Sequence, residues 1–384
     1  MPVAAPTDPR VDRGRRALAA GRAAGLDAVG LTSALPFEAT RRDLEERRAA
    51  GLHGGMRFTY RNPARSTDPR RVLPTARSLV AGARRYAGGA VPAPATPGPH
   101  GRVARYAWGD HYAELEAGLE AVAGVLRDEG WRAVVVADQN HLVDRAVAQR
   151  AGLGWYGKSS LLLLPGAGSW FVLGAVVTDA PLAPLDPAPV ADGCGPCTRC
   201  VSACPTGAIV APGVVDARRC LAWIVQAPGP IPREHREAMG DRIYGCDECQ
   251  DACPPNRVEL RRHRDDVPSA GEAWVDLLDL LAADDATLLD RHGRWYIADR
   301  DPRWIRRNAL VALGNVADPA DERVAAALRT ALHGPDGLLA AHAAWAARRL
   351  GRPDLLADLG PGVAPEVAAE LDAPAPTPRT PVAP

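Results

Sequence analysis

Eight cysteines, all between positions 194 and 253, constrain this 384-residue chain more than anything else in it. The first four read Cys194-Gly-Pro-Cys197-Thr-Arg-Cys200-Val-Ser-Ala-Cys204-Pro205, a C-x2-C-x2-C-x3-C-P run without a deviation. That is the spacing by which thiolates hold paired [4Fe–4S] clusters. Two-residue gaps let one tight loop wrap three thiolates around a cubane, while the fourth cysteine, past a turn, reaches the other cluster. A second run, Cys246-Asp-Glu-Cys249-Gln-Asp-Ala-Cys253-Pro254, lacks its first ligand, since Arg242 and Ile243 stand there. Cys220 is the remaining thiol and completes the count. Crosswise ligation then predicts one cluster on Cys194, Cys197, Cys200 and Cys253, and the other on Cys204, Cys220, Cys246 and Cys249. Structural zinc is the alternative and also uses C-x2-C pairs, but it gives no reason for the C-x3-C-P endings.

Unpaired thiols in such number suit a reducing compartment. The N-terminus, Met1-Pro-Val-Ala-Ala-Pro6, has no apolar core of a signal peptide. No apolar run is long enough to span a bilayer. The expectation is a soluble cytoplasmic protein without disulfides. Lys plus Arg (46) equals Asp plus Glu (46), which argues against bulk electrostatic coating of nucleic acid or membrane but leaves room for a local basic patch. Nearly all the positive charge is Arg: Lys158 is the only lysine, in a composition typical of high-GC coding. Ammonium and guanidinium differ in shape and hydration, so a lone lysine in that background points to a positional role.

Ahead of the cysteines, helical and strand patterns alternate. Val11 to Gly25 is helical, and Asp27 to Leu31 and Arg77 to Gly82 are strand-like. Leu115, Leu119, Val122 and Leu126 recur at helical spacing up to Gly130. Trp131 to Ala137 reads as a buried strand, Leu142 to Gly152 as a helix, and Ser160 to Leu164 and Ser169 to Thr178 as further strands. Pro-rich stretches at 91–99 and 180–192 are loops. Past the cysteines the chain is almost wholly helical, and Trp304 to Gly314 resembles Ala341 to Gly351, like stacked helical hairpins of the HEAT kind. The whole reads as an α+β, multidomain chain. It divides into an α/β domain (1–185), a two-cluster module (186–265), α-helical HEAT-like repeats (266–360) and a disordered tail (361–384).

Longer motifs surround the cysteines. They include Arg65-Ser-Thr-Asp-Pro69, Arg105-Tyr-Ala-Trp-Gly-Asp-His-Tyr112, Arg150-Ala-Gly-Leu-Gly-Trp-Tyr-Gly-Lys158 and Gly168-Ser-Trp-Phe-Val-Leu-Gly174. Met239-Gly-Asp-Arg-Ile-Tyr-Gly-Cys-Asp-Glu-Cys249 and Arg307-Asn-Ala-Leu-Val-Ala-Leu-Gly-Asn315 complete the set. With these motifs the chain resembles, from about Gly25 to Gly351, the epoxyqueuosine reductases, cobalamin-dependent enzymes of tRNA queuosine synthesis. The resemblance implies that the N-terminal α/β domain binds cobalamin beside a bacterial-ferredoxin-like module with two [4Fe–4S] clusters. It implies cofactor contacts at Arg65, Tyr106, Asp138, Lys158, Ser159, Leu162 and Asp247. No D-x-H-x-x-G motif occurs, in keeping with a family that holds cobalamin base-off. The resemblance further implies a tRNA anticodon-loop substrate, an external flavodoxin or ferredoxin donor, and a monomer. Arg219, Arg303, Arg306 and Arg307 are the expected tRNA contacts.

Turning an epoxide into an alkene removes oxygen as water and takes two electrons and two protons. Hydroxide and alkoxide leave poorly, so the oxygen needs a general acid. In the family that acid is an aspartate following a buried strand, which here is Asp138, after Val134-Val-Val-Ala137. Its plainer role would be a distant cap for the helix starting near Leu142. The chain departs from the family after Asp138, where Gln139-Asn-His-Leu-Val-Asp144 keeps an acid at Asp144, lacks the usual Pro and gains His141. It departs again after Cys220, in Leu221-Ala-Trp-Ile-Val-Gln-Ala227, where hydroxyls and an acid are lost. Two other readings stay open: a cobalamin and iron–sulfur reductase of another substrate, in the manner of reductive dehalogenases, and a non-enzymatic electron carrier.

Overall fold

The computed structural model describes residues 8–58, 60–89, 91–92, 94, 98–266, 273–360 and 362–378. The chain forms two compact units, each drawn from three separated segments. The expected sequential division is therefore a division of the sequence and not of the packing. The first unit takes Met1–Gly89, Gly109–Arg218 and Glu248–Val267; the second takes Ala90–Trp108, Arg219–Asp247 and Pro268–Pro384.

The first unit is built on a four-stranded sheet. In spatial order its strands are Ala28–Ser33, Ser78–Arg85, Phe171–Thr178 and Ala133–Ala137, every neighbour antiparallel. The alternation of helix and strand in the sequence implied an α/β domain without strand directions; the connections return each strand antiparallel to its neighbour. Side chains alternate across the sheet with period two. Leu79, Ala81, Leu173, Ala175 and Val177 join one core with Val147 and Leu162, while Val80, Val172 and Val176 join another with Leu119 and Val122. Both faces are covered, which is why these strands read as continuous apolar runs.

Two helices, Pro9–Ala23 and His111–Asp128, pack together over one face. Asp8 and Asp110 cap them by accepting from Arg10 N and Ala113 N, as the unsatisfied first N–H groups require. The long helix lies close because Gly82 and Gly174 stand beneath it: a Cβ on either would sit 2.8 Å from a Leu119 methyl.

A buried polar network ties the third segment of this unit to the sheet. Asn256, fully buried, accepts from Ser169 N (2.6 Å) and donates to Ser169 Oγ (2.9 Å) and Gln250 O (3.0 Å). Gln250 in turn donates to the Tyr86 hydroxyl (3.1 Å) and Ser169 O (3.1 Å).

In the second unit, His100–Val103 is the central strand between Arg242–Tyr244 (parallel) and Trp274–Asp276 (antiparallel). The rest is helical, centred on Arg303–Val316, whose Ala309 to Leu313 are fully buried. Gly314 lets the helix Gly337–Arg349 approach, since a Cβ there would lie 2.9 Å from Ala346 Cα. The expected disordered tail is corrected in part: Pro365–Asp372 is a helix packed on Gly337–Arg349, with Val367 and Glu370 buried. The Glu370 carboxylate meets Arg236 Nη1 at 3.0 Å and also pairs with Arg233, long-range partners that composition does not reveal. Residues 361 and 379–384 of that stretch lie outside the described residues. No described helix is long and apolar enough to cross a membrane.

Candidate redox site

All eight cysteines are half-buried and none is joined in a disulfide. In the first unit, two short helices, Arg199–Ala203 and Glu248–Asp251, carry Cys200 and Cys249 and pack on each other. Cys204-Pro205 and Cys253-Pro254 end the two wraps, and Pro254 opens the helix Pro254–Arg262, at a position where a missing N–H costs nothing. The Cys253 thiol is pushed up to about 11, by burial first and also by the neighbouring Cys200, Cys194 and Cys197. These four thiols therefore lie near enough to influence one another's ionisation. At Cys204 burial is outweighed by donors: Ala208 N points at its Sγ from 3.2 Å and Thr206 lies alongside, so the thiol is held below its ordinary value. Among the described residues, no three His, Cys, Asp or Glu side chains converge where a single ion would sit.

Against the first cysteine loop lies a hairpin, Trp155–Tyr156 paired with Leu162–Leu163. Its tip carries Lys158, whose Nζ donates to Gly195 O at 2.7 Å. Ser159 is half-buried on the same tip. Leu162 was expected to touch cofactor; its side chain is instead only 4% exposed, in the hydrophobic core. An apolar position in a two-residue strand over a core gains more from burial than from a pocket.

The acid loop also belongs to the first unit. Asp138 follows the strand Ala133–Ala137 in the left-handed region, φ 47°, a conformation costing about 1–2 kcal/mol for a residue with a Cβ. Its side chain is exposed at the rim, yet the surrounding protein desolvates the carboxyl enough to raise its pKa, with Glu116 adding to the effect. Asp138 does not cap the next helix, Asp144–Arg150, whose N-cap is Val143. Asp144 is more strongly shifted toward the neutral form, by burial first and then by Asp138; its Oδ1 is buried without a hydrogen-bond partner. The Tyr112 phenol is raised by burial and by both carboxylates. Across the loop, Arg65 meets His141 (Nη2 to Nδ1, 3.2 Å) and Val143 N donates to Ser66 O (3.1 Å). Sequence reading flagged Asp144 only as a retained acid and passed over Tyr112, although it closes a quoted motif.

In the second unit, Asp247 accepts from Arg105 N (2.8 Å) and pairs with Arg105 Nη1 (3.5 Å). This fixes the turn that presents Tyr106. Gly245, at φ 72°, lies so close that a Cβ would come within 2.4 Å of Ala104 Cβ. A recess of about 190 Å³ opens there, lined by Ala104, Arg105, Gly245, Cys246 and Asp247 among others. The Tyr106 hydroxyl accepts from Gln226 Nε2 (2.9 Å). Gln226 lies within the divergent stretch after Cys220, and its role was not read from sequence.

The expected tRNA-contacting arginines fare differently. Arg307 is 1% exposed and donates to the carbonyls of Ala227, Gly229, Ile224 and Val225, so its guanidinium is used up inside the protein. Arg303 pairs with Asp301 (2.9 Å), and Arg306 pairs with Asp285 (2.5 Å) while donating to Ala283 O. Arg219 is exposed.

A family model described as a 4Fe-4S double cluster binding domain matches residues 193–256. Epoxyqueuosine reductase from Xanthomonas campestris pv. campestris is 36% identical over 355 residues, 90% of this chain and 98% of that protein. The solved structure of an epoxyqueuosine reductase with an epoxyqueuosine-modified tRNA-Tyr stem loop matches at TM-score 0.82 and 30% identity, covering 93% of this chain and 96% of the other. The Bacillus subtilis epoxyqueuosine reductase matches at TM-score 0.81 and 29% identity, covering 93% and 96%; it is described with the catalytic loop bearing its aspartate swung out of the active site. With thiols, acid loop and chain-long similarity in agreement, the chain belongs to the epoxyqueuosine reductase family.

Proposed function

We propose that this protein is an oxidoreductase that converts epoxyqueuosine in tRNA to queuosine, removing the epoxide oxygen as water at the expense of two electrons and two protons. The observation that carries the reading is Asp138, a carboxyl shifted toward its neutral form on a strained turn at the end of the sheet's edge strand Ala133–Ala137, in a chain with a full double-cluster cysteine set. Cys194, Cys197, Cys200 and Cys253 hold one [4Fe–4S] cluster, and Cys204, Cys220, Cys246 and Cys249 the other; the mutual influence of the first four thiols supports that assignment. The clusters supply electrons singly, received from an external flavodoxin or ferredoxin system. Cobalamin, when bound, supplies low-valent cobalt as the reductant of the epoxide.

The residues present fit cobalamin. The close approach enforced at Gly245 leaves a recess bordered by Asp247 in the second unit. In the first unit, Arg65, Ser159 and Asp138 are surface-accessible polar groups. By the family resemblance these residues, with Lys158, and in the second unit Tyr106 and Asp247, would each contact the group. Desolvation opposes the charge of the Asp138 carboxyl and raises its pKa, and that carboxyl delivers a proton to the departing oxygen. Asp144 behind it also favours the protonated form. Arg219 and the exposed Arg257, Arg261 and Arg264 contact tRNA phosphates, while the HEAT-like helices around Arg303–Val316 grip the macromolecular substrate, and the protein works as a monomer. Positioned acids contribute ~10²–10⁴-fold, enough to make Asp138 decisive.

The test is mass spectrometry of nucleosides from epoxyqueuosine-containing tRNA after incubation with anaerobically reconstituted protein, cobalamin and reductant. Queuosine should appear. Its absence, with clusters and cobalamin verified as bound, would direct the search to another substrate.

A further inference from the structure

We propose that Lys158 is a positioning residue for the cluster on Cys194, Cys197, Cys200 and Cys253, anchoring the loop of its first ligand and setting its reduction potential through the ammonium charge. This rests on the double-cluster reading above. It gives Lys158 a duty toward iron in addition to the cobalamin contact that the family resemblance implies.

The contacts run along one hairpin. Its Trp155 ring lies against Gly193, where a Cβ would come within 2.6 Å of the indole. At the tip, a Cβ on Gly157 would stand 3.7 Å from Cys194 Sγ, so the backbone of Gly157 borders the ligand sulfur itself. The next residue is Lys158, whose Nζ donates to the Gly195 carbonyl at 2.7 Å. Gly195 follows Cys194 directly and sits at φ 47°, a turn stable for glycine but one that other residues resist. Lys158 is held from its backbone too, since Gly213 N donates to its carbonyl at 3.0 Å. On the far side, Cys194 N is fixed by Asp192 Oδ1 at 2.8 Å. The Cys194 loop is thus pinned at Gly193, Cys194 and Gly195.

Reduction adds an electron to a cluster that already carries negative thiolates. A cation beside the loop stabilises the reduced form more than the oxidised, and groups around the ligands commonly set potentials in this way. Lysine suits the place better than arginine. A compact ammonium donates here to a single carbonyl, whereas a guanidinium presents a planar fork of donors. Every other Lys or Arg position in the chain is arginine, so the single lysine places a compact ammonium in an otherwise guanidinium-bearing chain.

The experiment is a potentiometric titration, followed by electron paramagnetic resonance, of the anaerobically reconstituted full chain and three variants. Lys158→Gln keeps an N–H donor without charge, Lys158→Met removes both, and Lys158→Arg keeps charge in another shape. One of the two cluster potentials should move negative in the Gln and Met variants and recover largely in the Arg variant, while the other stays in place. Loss of one cluster's iron from the Met variant, retained in the Gln variant, supports the anchoring half of the proposal. Unchanged potentials in a fully loaded Lys158→Gln protein overturn the charge effect, and full loading with native signals in Lys158→Met overturns the anchor. Wild-type protein that takes up only one cluster defeats the underlying ligand reading instead, and is recognised from its iron content before any variant is compared.

Discussion

Arg65 Nη2 lies 3.2 Å from His141 Nδ1, and because a guanidinium can only donate, that ring nitrogen must be the acceptor. The contact links the two ends of a short bridge, since Val143 N also reaches Ser66 O. Between them runs the loop from Asp138 to Val143, without a side-chain cap on the helix that follows.

Breaking this bridge should loosen the loop. His141→Leu is expected to speed amide exchange over residues 138–143, corresponding to the loss of about 1 kcal/mol, and to lower kcat more than KM. His141→Asn, which places an acceptor near the same point, should restore both. Exchange rates that match the wild type in His141→Leu would remove the bridge from consideration.

Asp138 carries both a proton and a strained backbone, and two substitutions separate them. Asp138→Asn should lower turnover by ~10²–10⁴-fold with clusters and cobalamin retained, measured by absorbance and single-turnover assay. Asp138→Gly should lose activity as severely yet raise stability by about 1 kcal/mol, because glycine adopts positive φ freely. A stability loss in the glycine variant would show that the carboxylate, not the turn, holds the loop.

Asp144 gives a pH prediction. Its folded pKa is raised by burial and by Asp138, so its stabilising contribution is fully present below the unfolded aspartate value of about 4 and is lost as pH rises through the folded value. Asp144→Asn should therefore raise the thermal midpoint at neutral pH, with the advantage over wild type vanishing in acid. An equal shift at both ends of the pH range would count against a carboxyl held neutral.

Arg307 predicts stability and not binding. Its guanidinium, lowered to about 9 by burial, ties together carbonyls of residues 224–229. Arg307→Met should cost on the order of 3 kcal/mol in urea denaturation while leaving the salt dependence of tRNA binding unchanged. Arg219→Ala should do the reverse, reducing that salt slope by about one unit.

Reading the residues alone carried further for ligands than for layers. Cysteine spacing is a local geometric constraint, so the runs at 194–205 and 246–254 were legible outright. The strands at 78–85, 133–137 and 171–178 were legible as apolar runs, but their antiparallel pairing is set by connections that periodicity does not encode. Arg307 stands in a quoted motif and Leu162 between two of them, and only tertiary packing shows that both side chains are buried. The helix 365–372 hid in Pro- and Ala-rich sequence because its stabilising partners, Arg233 and Arg236, lie far upstream. Gln226 and Tyr112 matter through contacts with residues over twenty positions away.

The Asn256 network also bears on how the protein is made. Ser169 and Tyr86 leave the ribosome long before Asn256 and Gln250, and residues 219–247, which pack in the other unit, emerge in between. During that interval the amide of Ser169 has no Asn256 oxygen to meet, and the first unit stays open along one side. Chains ordinarily finish their N-terminal domain first. This one cannot complete its first unit until residues 248–267 have been made, and Cys253, the last of the cysteines, arrives with them.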